Sequence, residues 1–151
     1  MKLAEALSIR KDLQRKIAQL QSRVQNNVKV QEGESPAENP DELLKELDSC
    51  LNQLEDLVFR INKTNMHTLA EDGTTLTQMM ARKDVLTSRI GVLRAVFDSA
   101  SASHDRYSRS EIKQVTIVDV KALGQQIDRL SARLRTLDIG IQSLNFATEL
   151  E

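Results

Sequence analysis

Apolar residues recur at Val120, Leu123, Ile127, Leu130, Leu134, Leu137, Ile141 and Leu144, in alternating steps of three and four. That period of 3.5 is the seam of a helix that packs lengthwise against others and supercoils with them. Burying each such side chain stabilises by at most about 1.5–3 kcal/mol before ordering entropy is subtracted. A solitary helix in water gains none of this, so the stretch requires partners with matching seams. Three other stretches supply them. Leu3, Ala6, Leu13, Ile17, Leu20 and Val24 hold the spacing, with Arg10 where an apolar residue belongs. Leu44, Leu47, Leu51, Leu54, Val58, Ile61 and Asn65 repeat it, and Leu43, Cys50 and Leu57 widen that stripe enough to touch two neighbours. The last seam runs Leu76, Met79, Lys83, Leu86, Ile90, Leu93, Phe97.

Between the seams lie stop and start signals. The first helix fades at Asn26-Asn27, and Val28 to Gln31 then alternates with the period of a strand. Glu32-Gly33-Glu34-Ser35-Pro36 reads as a loop. Asn39 can cap the second helix, Pro40 suits its first position, and Glu42 follows at capping-box spacing. Asp72-Gly73 predicts a tight hairpin after Leu69, and Thr75 with Gln78 suits the start of the third helix, which frays over Ser99 to Ser103. Ser108 with Glu111 suits a single helical turn, and Asp119 caps the fourth helix. The β-branched run Gln114 to Val118 is strand-like. Gly124 and Gly140 flank the fourth seam; each costs about 1 kcal/mol relative to Ala and marks either a close helix approach or an unconstrained flank.

The expected fold is therefore all-α: an antiparallel four-helix bundle with long, coiled-coil-like helices, one domain over residues 1–151. In an up-down bundle Val28–Gln31 and Val115–Val118 fall at the same end, where they are expected to pair as a small two-stranded β ribbon. Composition agrees. Aromatics are 3%, with no Trp, so the core must be aliphatic. Charged residues reach 28% but cancel to a net −1, which lacks the basic excess of a DNA-duplex binder. The lone Cys50 provides no disulfide framework and fits a reducing compartment. Glu5 stands where a signal peptide needs an apolar run, and no stretch approaches the ~20 apolar residues of a membrane span. A cytoplasmic protein is expected.

Five stretches carry a resemblance. They are Val30-Gln31-Glu32-Gly33-Glu34, Ile61-Asn62-Lys63-Thr64-Asn65, Asp72-Gly73-Thr74-Thr75-Leu76, Arg106 through Lys113, and Gln142 through Thr148. Over nearly its whole length the chain resembles the small bacterial helical proteins of unknown function labelled septicolysin. That family carries Trp where Gln114 and Phe146 stand here, which implies different packing at both bundle ends. The label implies a cytolysin. The residues argue otherwise, since no amphipathic strand pair is long enough to line a pore and no Trp-rich tip is present.

Chemistry is sparse. A di-iron bundle needs Glu-x-x-His on two helices, but Thr64 and Ser101 precede His67 and His104 at that spacing, so no metal and no cofactor are expected. Cys50 lies at the edge of an apolar stripe, where a small buried hydrophobe is the ordinary role. No catalytic triad or phosphate loop occurs, and no enzymatic activity is expected. Two polar clusters remain. Asn62, Asn65, His67 and Asp72 gather at the second loop, with Arg10, Lys83 and Asn145 within about two turns of that end. They suit either a pocket for an anion or a network fixing helix register, and register is the stronger reading. Arg106, Tyr107, Arg109 and Lys113 could grip a phosphate and stack a base, but Asp105 and Glu111 offset their charge. A loop held by Arg–carboxylate pairs is the stronger reading there. The leading expectation is a non-enzymatic homo-oligomer acting as a scaffold, with an unidentified protein or anionic ligand as further partner. A small-ligand or RNA-binding module using the Arg106–Lys113 loop is the alternative, and a membrane-active cytolysin the remote one.

Overall fold

The computed structural model describes residues 1–102 and 112–151. Four helices account for most of them: α1 (Leu3–Asn27), α2 (Pro40–His67), α3 (Leu76–Ser101) and α4 (Val120–Ala147). The fold is all-α. The starts of α2 and α4 follow their capping residues. The Asn39 side chain accepts a hydrogen bond from the Asp41 backbone N–H at 3.0 Å, with Pro40 in the first turn. The Asp119 carboxylate likewise accepts from Ala122 N–H at 2.9 Å, at the start of α4. Each bond satisfies a backbone donor that the first helical turn leaves without a partner.

The chain divides into two compact units. The first holds Met1–Thr77 and Gln142–Glu151. In it α1 packs on α2 around Leu20, Leu43 and Cys50, with Leu13, Ile17, Val24 and Leu47 against them. Lys16 pairs with Glu46 at 2.7 Å and Arg23 with Glu38, so later α1 residues meet earlier α2 residues. Asn27 fastens the turn between them: its side-chain amide donates to Arg23 C=O at 2.8 Å, and its carbonyl accepts from Glu38 N–H at 3.0 Å. At the other end of α2, Leu3, Ile61 and Leu76 are wholly buried. The connection to α3 is the hairpin that Asp-Gly predicts. Ala70 N–H donates to Thr74 C=O, Gly73 N–H to Ala70 C=O, and the Asp72 carboxylate accepts from Thr74 N–H. Gly73 has φ +77°, a left-handed conformation open to glycine without strain.

The second unit holds Gln78–Ile141. Ile90 and Ile127 are buried in it, and the remaining α4 seam residues are half-buried or buried. A Cβ on Gly140 would lie 3.3 Å from Met79 Cε, and one on Gly124 3.3 Å from Phe97 Cε2. Both glycines thus mark close approach between α3 and α4. Lys83, the charged residue in the α3 seam, is neutralised by Asp138 across that contact.

The expected β ribbon is not there. No sheet occurs among the described residues, and neither Val28–Gln31 nor the stretch 112–118 forms a strand. Val28 continues α1 in helical geometry as its C-cap (φ −87°, ψ −8°), which leaves too few residues for a strand. Thr116 instead donates its hydroxyl to Ala100 C=O at 2.8 Å, serving an orphan carbonyl near the end of α3. Isolated β-bridges form elsewhere, between Lys2 and Glu149 and between Leu69 and Thr75.

Candidate functional site

Two kinds of feature compete as a site: a charged clasp in the first unit, and apolar faces left open to solvent.

The clasp is built on the last turns of α2. Arg60, Lys63 and His67 recur at steps of three and four, so they share one helix flank. Glu151 lies across them. Its carboxylate meets His67 Nδ1 at 2.9 Å and Lys63 Nζ at 3.3 Å, and its main-chain carbonyl accepts from Arg60 Nε at 2.9 Å. Glu151 N–H donates to Thr64 Oγ1 at 3.0 Å, while that hydroxyl donates to Arg60 C=O at 2.9 Å. Alongside, Leu3 N–H donates to Thr148 C=O and Leu150 N–H to Met1 C=O, and Lys2 Nζ pairs with Glu149 at 2.8 Å. The His67 hydrogen bond, then Lys63, hold the Glu151 carboxyl below the usual carboxylate range, and Lys2 does the same for Glu149. Every cation in the clasp already faces a carboxylate or carbonyl. Its chemistry is that of a fastening, which ties the segment after α4 to α1 and α2.

The predicted polar cluster is only partly gathered there. His67 joins the clasp, Asp72 closes its own turn, Asn65 is buried and Asn62 is exposed. Arg10 is half-buried on α1 with no ion pair among the described residues, and Lys83 belongs to the second unit with Asp138. Of the predicted basic loop, Arg106, Tyr107, Arg109 and Glu111 lie outside the described residues; Lys113 is exposed. Sequence reasoning missed Arg60, Lys63 and Glu151, although the spacing of the two cations from His67 was a readable signal. Among the described residues no three His, Cys, Asp or Glu side chains converge to hold a metal ion.

The open faces are the larger feature. On α2 the residues facing α1 are buried, but Leu44 and Leu51, both in the predicted seam, stay 47% and 45% exposed. On α3, Val85 and Val92 are 62% and 63% exposed. Val92, Val96 and Ser99 form one wall of a groove of about 1070 Å³ whose other wall is Ile112 through Val118. Ile112 and Ile117 are 94% and 92% exposed. Single exposed apolar residues are ordinary, whereas a contiguous set of this kind is a candidate site.

A family model described as "Family of unknown function (DUF6847)" matches residues 10–150. The chain belongs to that family. Its description names no activity and makes no mention of septicolysin. A solved structure described as a functionally unknown conserved protein from Corynebacterium diphtheriae is 40% identical. Its TM-score is 0.93, over 100% of this chain and 99% of that one. No curated protein matches. Among the described residues no helix is long and apolar enough to cross a membrane.

Proposed function

We infer that this member of the family is a non-enzymatic, self-associating scaffold of the antiparallel helical-bundle type, acting in the cytoplasm. The observation that carries this reading is the open apolar face of α3 and the stretch 112–118, on which Val85, Val92, Ile112 and Ile117 remain largely in water. Covering one such side chain is worth at most about 1.5–3 kcal/mol, from which the cost of association is subtracted. The cations of the clasp support the same choice, because they are spent on carboxylates within the chain and leave no charged pocket there for a metabolite.

Size-exclusion chromatography with light scattering tests it. The expected mass is a multiple of 17.0 kDa that persists on dilution to micromolar protein. A mass of 17.0 kDa at every concentration overturns the reading. Liposomes loaded with dye should remain intact at the same concentrations; leakage would favour the membrane-active activity that the septicolysin label implies.

A further inference from the structure

The open faces of the two units differ in the charge that borders them. On α2, Leu44 and Leu51 stand a heptad apart, with Asp41, Asp48 and Glu55 three or four residues away and so on one flank. All three acids are exposed. On α3, Val85 and Val92 also stand a heptad apart, and Arg82 and Arg89 take the corresponding flank. The other flank of α3 is Ala81, Ser88 and Ala95, short side chains that let a second helix come close. Lys113 adds a cation on the opposite wall of the groove.

We propose that the α2 stripe of a second copy of this chain seats in the α3 groove, with Leu44 and Leu51 against Val85, Val92 and the wall at 112–118. The acidic flank of α2 then faces Arg89 and Lys113. This interface rests on the self-association reading above and names its surfaces.

Two observations favour a second copy as the occupant. Asp41, Asp48 and Glu55 on the stripe, with Lys45 among them, complement Arg89 and Lys113 at the groove, so the favoured pairing is stripe to groove and not groove to groove. The heptad spacing is the same on both, so each leucine meets a valine without a change of register.

Mixed single-site variants test this on the full chain. One population carries Leu51→Cys and another Val92→Cys; both positions are exposed, so folding is unaffected, and circular dichroism verifies it. On mild oxidation the mixture should give at least tenfold more disulfide-linked dimer than either population alone. Charge reversal gives a second reading. Arg89→Glu with Lys113→Glu should weaken self-association about tenfold, and mixing with Asp48→Arg, Glu55→Arg protein should restore it. Equal cross-linking by each population alone, or none in the mixture, overturns the interface. So does an internal cross-link within monomers of the Leu51→Cys, Val92→Cys double variant. If wild-type protein remains dimeric by light scattering in those cases, only the interface is wrong. If it is monomeric throughout, the self-association reading fails with it.

Discussion

The clasped region of the first unit and the groove of the second spend their side chains in opposite ways. Around the clasp, Leu3, Ile61 and Leu76 are wholly buried, Thr64 both donates and accepts, and Arg60, Lys63 and His67 of α2 face Glu151. At the groove, apolar residues of α3 and of 112–118 face water, and the hydrogen bond from Thr116 to Ala100 joins the two walls. The first region is complete within one chain. The second leaves its apolar side chains in water. Local burial thus separates what the chain uses to fold from the face on which the proposed association rests.

Truncating one residue in each region gives the largest contrast. Ile61→Ala removes a fully buried side chain and should cost about 2–5 kcal/mol of unfolding free energy. Ile117→Ala should cost the isolated monomer under about 0.5 kcal/mol, since that side chain is already in water. Urea unfolding at matched, low concentration measures both, and equal costs would erase the distinction. Next comes Thr64→Val, which keeps the shape but removes the hydroxyl that serves Glu151 and Arg60. A loss of about 1–3 kcal/mol is expected because a buried group loses its partner; no change would mean the clasp is ornamental.

Much of the first region was legible beforehand. Asn39-Pro40 and Asp72-Gly73 there, like Asp119 in the second unit, each act locally, through a cap or a turn, so they behave as their residue types dictate. The heptad seams located all four helices for the same reason. What a seam does not specify is whose helix covers it. Leu44 and Leu51 fit the pattern as well as Leu47 does, yet Leu47 packs on the α1–α2 core while they stay open. No ribbon forms because Val28, β-branched and strand-like by type, extends a helix, and Thr116 serves the end of another. Asp138 as the partner of Lys83, and Glu151 as the partner of His67, lie far along the chain and depend on tertiary register.

Acid should reach the clasp in a predictable direction. Glu151 and Glu149, like Glu46 beside Lys16 and Glu38 beside Arg23, titrate below the ordinary 4.5 in the folded chain. Their contribution is therefore present above that value and lost as pH falls through the lower folded-state values. The urea midpoint should hold steady from pH 7 to about 5 and drop below 4.5, and Glu151→Gln should make the drop shallower. A midpoint rising on acidification would reverse the assignment. The smallest effect belongs to Gly140→Ala. Helix propensity favours Ala by about 1 kcal/mol, and the contact at 3.3 Å is with the flexible end of Met79, so a small rise in Tm is expected. A fall would mean that Met79 cannot yield.

Sedimentation velocity of wild-type protein beside the Val92→Asp variant, at one concentration, tests the central claim most directly. Val92 is open in the single chain, so the substitution should leave helix content unchanged while placing a charge in the groove. Wild-type protein is predicted to sediment as a species larger than 17.0 kDa, and the variant at 17.0 kDa. The same mass for both would contradict the claim that this open face is where the protein associates.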